Sequence, residues 1–445
     1  MKVIYCILLL SKLINGHFLF KNVRTDNSIL EDANLDTATL IRKYSYPCEI
    51  HRVYTEDGYI LEMHRIPRGR TGNTGSNLDR PVVFLQHGIL SSSAEWVLMT
   101  PGSGLAYILA DAGYDVWMGN ARGNTYSRHH KTIKPDNSKF WKFSWHEIGY
   151  YDMPAMIDYA LKESGKSKLQ YIGFSQGTTV FWVMTSLRPE YNDKIIAMQA
   201  FAPVGYVGNI KSPLLMTIAL LSFLGANEFL PNGPLNVLAG QRLCTEEAIT
   251  QFLCTNILFL ICGYNEDHNN SQTMLPIVMG HTPAGASTRQ LIHFGQLFKS
   301  GKFRQFDYGL LKNLYNYGTF SPPNYNLTAI TTPVFLHYGD NDWLSTPADV
   351  DKLAKEIPSV VGKLRVPYRK FNHLDFVFAN DATELIYNRE SRGQMSPYSK
   401  LYYEYYRCND VKKSIEDTLQ IYIVTVFTVP FNYKYRSIKN NGIYL

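Results

Sequence analysis

Between Pro81 and Ala202 the chain alternates short, wholly apolar runs with stretches of helical spacing, a pattern that few folds accept. Pro81 to Gln86, Tyr114 to Met118, Leu169 to Phe174 and Ile195 to Ala202 are too short for helices and apolar on both sides of the pleat. Each is expected to be a strand buried on two faces. Leu105 to Ala112, Asp152 to Lys162 and Thr178 to Leu187 have helical spacing between them. Strands joined by helices pair in parallel, so the expectation is an α/β fold with a mostly parallel central sheet and helices on both faces. Upstream, alternating apolar residues from Ile50 to Ile66 flank Glu56-Asp57-Gly58, which predicts a β-hairpin on an Asp-Gly turn. The alternation stops near residue 205. It resumes with the strand-like Pro333 to Gly339 and Val366 to Phe371. In between, the apolar segments Pro213 to Leu224 and Asn256 to Cys262 predict a helical cap inserted into the core.

One serine stands where such a sheet does chemistry. Gly173-Phe174-Ser175-Gln176-Gly177 fits Gly-x-Ser-x-Gly, and it lies between the strand and helix just described. The motif needs that setting. The serine must sit on a tight, strained turn, and small flanking residues let the chain segments approach closely. In a chain of this length roughly 0.1–0.2 matches arise by chance, so the strand–turn–helix context carries most of the weight. A serine hydroxyl needs a base. After position 342 the only histidine is His373, in Asn372-His373-Leu374-Asp375-Phe376, following the Val366 to Phe371 segment. The acid should follow a strand end between the two. Asp340 and Asp342, in Gly339-Asp340-Asn341-Asp342, compete for that place, with Asp342 favoured. The oxyanion needs aimed N–H donors. The backbone of Gln176, next to the nucleophile, is one candidate; Ile89, in the His87-Gly88-Ile89-Leu90 loop after an earlier strand, is the other.

The remaining chain points to the secretory route. Met1-Lys2 followed by the apolar run Val3 to Leu10 reads as a signal peptide cleaved near Gly16, too short to span a membrane. Asn269 and Asn326 head Asn-x-Ser/Thr sequons. Of the six cysteines Cys6 leaves with the leader, so an odd number remains; Cys244, Cys254 and Cys262 cluster, and a Cys244–Cys254 disulfide is favoured. No Cys-x-x-Cys pair suggests a structural zinc. A net charge of +6 over 445 residues, with no dense basic run, argues against nucleic acid as a partner. The expected organisation is a signal peptide at 1–16, a first core segment at 17–204, a cap and lid at 205–326, a second core segment at 327–390, and an atypical tail at 391–445. The tail is rich in Tyr and Lys.

Further blocks carry a resemblance. Thr55-Glu56-Asp57-Gly58-Tyr59-Ile60-Leu61, Phe84-Leu85-Gln86-His87-Gly88, Asp111-Ala112-Gly113-Tyr114-Asp115-Val116-Trp117, Gly119-Asn120-Ala121-Arg122-Gly123-Asn124, Ser175-Gln176-Gly177-Thr178-Thr179 and Asn372-His373-Leu374-Asp375-Phe376 occur in this order. With them the chain closely resembles the acid lipase family of the α/β-hydrolase superfamily, from about Tyr46 to Asn388. The resemblance implies a Ser175–Asp342–His373 triad, which selects Asp342 over Asp340, and oxyanion donors at Ile89 and Gln176. It also implies hydrolysis of triacylglycerols or steryl esters at a lipid–water interface, with no metal or organic cofactor. The protein is expected to be a monomer, secreted or alternatively lysosomal. Phe174 departs from the histidine that often precedes the serine in this family, and the tail after 390 has no family counterpart. The alternative function is a non-catalytic lipid-binding or storage protein of the same fold.

Overall fold

The computed structural model describes residues 27–70, 80–212, 227–232, 262, 263, 265 and 270–387. The expected signal peptide at 1–16, nearly all of the apolar cap segments Pro213 to Leu224 and Asn256 to Cys262, Cys244, Cys254, Asn269 and the tail at 391–445 lie outside those residues, whereas most of the expected cap range at 205–326 lies within them.

The large sheet contains β1 (Glu49–Tyr54), β2 (Tyr59–Ile66), β3 (Val82–Gln86), β4 (Asp115–Met118), β5 (His129–His130), β6 (Leu169–Phe174), β7 (Ile195–Phe201), β10 (Val334–Tyr338) and β11 (Val360–Arg365). Its order is β1-β2-β4-β3-β6-β7-β10-β11, with the short β5 paired to β2. From β4 to β11 every neighbouring pair is parallel, while β2 runs antiparallel to β1 and β4. This is the mostly parallel α/β sheet that the alternating runs predicted. The central strands β3, β4 and β6 are buried at every residue. Alternate residues of β3 therefore feed two cores. Val82 and Phe84 join Trp117, Met156, Val180 and Leu336 on one face. Val83 and Leu85 join Leu105, Leu109, Met118, Ile172 and Phe371 on the other. A sheet covered twice needs apolar residues at both parities, which is why these strands read as continuous apolar runs.

Two local features differ from the sequence expectation. The hairpin loop holds three residues rather than two: Thr55 N–H donates to the Tyr59 carbonyl at 2.9 Å, and Gly58 takes φ +96°. That is a three-residue hairpin with glycine at the left-handed position. Val366–Phe371 is not a strand. The last strand is β11, one step earlier, and its ladder ends where Val366 N–H donates to the Tyr338 carbonyl at 2.9 Å. Pro367 has no N–H to continue it, so the chain turns away and delivers the loop that carries His373.

Helices α1 (Asn27–Asn34) and α2 (Thr37–Lys43) precede the sheet; α3 (Leu105–Asp111), α4 (Met153–Ser164) and α5 (Gln176–Leu187) link its strands. Every residue of α5 from Gln176 to Ser186 is buried. Its threonines meet that burial with hydrogen bonds: Thr178 Oγ1 donates to the Ser175 carbonyl at 2.7 Å, Thr179 Oγ1 to Val204 at 2.7 Å and Thr185 Oγ1 to Phe181 at 2.8 Å. Between β7 and β10 the described residues add no strand to the large sheet. They form a two-stranded ladder of β8 (Glu228–Phe229) with β9 (Ala286–Ser287), then α6 (Asn270–His281), α7 (Thr288–Ser300) and α8 (Leu310–Tyr317). The indole of Trp145, from the core, stacks on the His293 ring of α7 at 3.7 Å between centroids. Helix α9 (Pro347–Glu356) returns the chain to β11, and α10 (Asp375–Phe378) follows the His373 loop.

Candidate active site

Ser175 occupies the turn from β6 into α5, with φ +53° and ψ −117°. A non-glycine residue there costs about 1–3 kcal/mol and persists only when its surroundings fix it. The fixing contacts are visible. Ser175 N–H donates to the Phe201 carbonyl at 3.0 Å on the neighbouring strand, and Thr178 N–H donates to the Ser175 carbonyl at 2.9 Å. The flanking glycines of the motif are required by close approach. A Cβ on Gly177 would lie 2.1 Å from the Gln86 carbonyl oxygen, and one on Gly173 would lie 2.7 Å from the Gly177 carbonyl oxygen.

The structure brings Ser175, His373 and Asp342 together. Ser175 Oγ is 2.8 Å from His373 Nε2, and His373 Nδ1 is 2.8 Å from Asp342 Oδ2. All three side chains are buried. With the Asp342 carboxylate accepting, Nδ1 carries the imidazole proton, and Nε2 is left to accept the serine hydroxyl proton. Asp342 is itself fixed: its Oδ1 accepts from the backbone N–H groups of Leu344 at 2.8 Å and Ser345 at 2.7 Å. Asp340 stands apart, partly exposed and paired with Arg365 at 3.0 Å. Of the two competing aspartates, Asp342 is the one within hydrogen-bonding distance of His373.

The loop bearing His373 is held by its own motif. Asn372 Oδ1 accepts from Leu374 and Asp375 N–H at 2.9 and 3.2 Å, and Asp375 Oδ2 accepts from Asn372 N–H at 2.7 Å. A second brace, one that carries no motif, comes from the long stretch between β7 and β10. The Cys262 carbonyl accepts from Trp343 N–H at 3.3 Å and His373 N–H at 3.4 Å, so it joins the acid loop to the base loop. Asn372 Nδ2 donates to the Gly263 carbonyl at 3.1 Å, and Asn265 Nδ2 donates to Asp375 at 2.9 Å. Cys262 and Cys48 both carry free thiols. Burial pushes the Cys262 thiol well above its ordinary pKa, so it stays protonated.

The candidate oxyanion donors sit on either side of the serine. Gln176 opens α5 directly after Ser175, where a helix leaves N–H groups without intrahelical partners. Ile89 lies in the loop after β3. Its neighbour Gly88 packs so closely that a Cβ there would stand 3.3 Å from the Ser175 Cβ and 3.2 Å from the Phe174 ring. His87 orients this loop and does not reach Ser175. Its Nδ1 donates to the Gly88 carbonyl at 2.7 Å, its Nε2 accepts from Ala121 N–H at 3.1 Å, and burial lowers its pKa to about 4. Beneath the loop, Gly88 N–H points at Glu95 Oε2, 3.4 Å away. Burial pushes the Glu95 carboxyl up to about 8. Phe174, the departure within the motif, is buried with its ring centroid 5.0 Å from that of His373. It is an apolar wall for the base. The side chain of Gln176 donates through Nε2 to Gln290 Oε1 on α7 at 2.6 Å, which ties the elbow to that helix. Asn326, the described sequon asparagine, is exposed.

A family profile described as "alpha/beta hydrolase fold" matches residues 81–379, and one described as "Partial alpha/beta-hydrolase lipase region" matches residues 37–100. The chain is 47% identical to Lipase 3 of Drosophila melanogaster over 82% of its own length and 93% of that protein's. It is 46% identical to Lipase 1 of the same organism, over 81% of this chain and 80% of that one. It is 40% identical to the gastric triacylglycerol lipase of Bos taurus, over 80% of this chain and 90% of that one.

Proposed function

The chain belongs to the lipases of the α/β-hydrolase family, and from that premise we propose that it cleaves neutral lipid esters, triacylglycerols foremost, through an acyl-enzyme on Ser175. It is an ester hydrolase of the lipase type. The observation that carries the proposed mechanism is the unbroken chain from Ser175 Oγ through the His373 imidazole to Asp342, with 2.8 Å at each link.

In this reading His373 Nε2 takes the hydroxyl proton as Ser175 Oγ attacks the ester carbonyl. Asp342 stabilises the imidazolium and keeps the proton on Nδ1. The backbone N–H groups of Gln176 and Ile89 receive the oxyanion. His373 then protonates the departing alcohol, and a water activated by the same imidazole releases the fatty acid. The stretch at 205–326 serves as a cap with a lid over the acyl site, and its described helix α7 reaches the elbow through Gln290.

The proposed setting is lipid digestion or catabolism outside the cell, with the lysosome as the alternative compartment. Two features support it: the apolar leader-like run at Val3 to Leu10 and the exposed sequon at Asn326. No helix among the described residues is long and apolar enough to cross a membrane. The direct test is Ser175→Ala. It should abolish fatty-acid release from emulsified triacylglycerol while leaving the thermal unfolding curve in place. Surviving activity in the variant would remove Ser175 from the mechanism.

A further inference from the structure

Helix α8 is mounted the wrong way round for a helix of a protein core. Its docked face is polar. Asn313, buried, donates through Nδ2 to Asp307 Oδ1 at 2.7 Å and to the Phe320 carbonyl at 3.0 Å, and its Oδ1 accepts from Tyr308 N–H at 2.9 Å. Tyr317 OH donates to the Phe306 carbonyl at 2.9 Å. The outward face is apolar: Leu310 is 68% exposed, Leu311 81% and Tyr315 91%, with Leu314 and the adjoining Phe320 also exposed. Residues at i, i+1, i+4 and i+5 form one continuous face of a helix. Helix α8 starts after Gly309, at φ +86° and ψ +159°, and ends on a left-handed Gly318 at φ +72°. The helix is therefore pinned by its polar side and presents its largest apolar side chains to solvent. A contiguous patch of this kind marks an interaction surface.

The charge around it selects the partner. From residue 268 to residue 339 the sequence holds five basic side chains, Arg289, Lys299, Lys302, Arg304 and Lys312, against a single acidic one, Asp307. Asp307 is occupied by Asn313 and Gly309. Lys299, Lys302 and Lys312 are exposed. An apolar face on a segment of net positive charge suits an amphiphile layer bearing negative head groups. A fatty-acid-releasing reaction makes such a layer, because its product is an anionic amphiphile. The helix is also coupled to the site. Gln296 of α7 exchanges two hydrogen bonds of 2.8 Å with the Asp307 backbone that caps α8. Six residues earlier on the same helix, roughly 9 Å along its axis, Gln290 holds Gln176.

We infer that the outward face of α8, Leu310, Leu311, Leu314 and Tyr315 with Phe320, is a docking surface for an anionic lipid–water interface. It anchors the insertion to the lipid that carries the substrate. The inference rests on the lipase reading above, and its test separates the two. Vesicle flotation with phosphatidylcholine, with and without phosphatidylglycerol, reads binding without turnover. Wild-type protein should float with the vesicles, more strongly when phosphatidylglycerol is present. Burying one leucine is worth about tenfold in an equilibrium constant. The Leu310→Ser/Leu311→Ser/Tyr315→Ser variant should therefore bind at least roughly tenfold more weakly. These side chains are exposed, so the variant should fold as the wild type does and hydrolyse a soluble short-chain p-nitrophenyl ester at an unchanged rate. Its rate on emulsified triacylglycerol should fall about as far as its binding. Unchanged vesicle binding by the triple variant would overturn the inference. So would a wild-type dimer in sedimentation that the variant converts to monomer, since that assigns the face to a second copy. Wild-type protein inactive on both esters would instead defeat the lipase reading.

Discussion

Replacing Asp342 by asparagine should disable the site through a single misplaced proton. The geometry dictates which way the new amide points. Asp342 Oδ1 accepts two backbone N–H groups, from Leu344 and Ser345, and only an oxygen can remain there. The amide NH2 must then take the Oδ2 position, 2.8 Å from His373 Nδ1. Two donors cannot face each other, so Nδ1 becomes the acceptor and the imidazole proton moves to Nε2. That nitrogen stands 2.8 Å from Ser175 Oγ and can no longer take its proton. Placing the wrong tautomer in a triad lowers kcat by about 10⁴, equivalent to roughly 5 kcal/mol of barrier. The assay is hydrolysis of a soluble p-nitrophenyl ester, so that surface binding does not enter. Asp340→Asn is the matched comparison. Asp340 pairs with Arg365 near the surface, where such pairs contribute about 0–1 kcal/mol, and its loss should leave the rate within about twofold. If Asp342→Asn keeps more than a tenth of wild-type activity, or if Asp340→Asn is the damaging change, the assignment of the acid is wrong.

Other consequences are open to measurement. Gly177→Ala drives a Cβ to within 2.1 Å of the Gln86 carbonyl oxygen, a backbone atom that cannot swing aside. It should cost about 3 kcal/mol or more, read as a large fall in Tm or loss of folded protein. Glu95 has a folded-state pKa of about 8, above its ordinary value of 4.5, because burial disfavours its charged form. The folded protein thus holds more protons than the unfolded chain between those values, so this group's contribution to stability is full below about pH 4.5 and is lost as the pH rises through about 8. Glu95→Gln should flatten the fall of Tm between about pH 5 and about pH 8; an unchanged slope would remove Glu95 as its source. Asn326→Gln, expressed through a secretory pathway, should lose the mass of one glycan, and an identical mass would show that the exposed sequon goes unused.

What could be read from sequence and what could not divides along physical lines. The central strands declared themselves because a doubly covered sheet demands apolar residues at both parities, as Val82 to Leu85 display. Ser175 and His373 could be singled out as candidates because the strained elbow and the loop after the last strand each need particular residue types at short spacing. Strand β11 was misplaced onto Val366–Phe371. Its exposed edge lets Lys363 and Arg365 alternate with apolar residues and weakens the signal, whereas the true break is Pro367. The braces on the site were invisible for another reason. Cys262 acts through its carbonyl, which every residue has, and Gln290 acts across 114 residues of chain. The outward apolar face of α8 was hidden because its spacing matches that of a buried helix; only the placement of Asn313 and Tyr317 shows which side is docked.

The central claim is that Ser175 is the nucleophile. The most direct measurement is labelling of the intact protein with a fluorophosphonate ester, followed by peptide mass spectrometry. The phosphonate should be found at one position, on the peptide containing Gly173-Phe174-Ser175-Gln176-Gly177, at one label per chain and with parallel loss of ester hydrolysis. Labelling at another serine, or full hydrolytic activity in protein that takes up no label, would contradict the account.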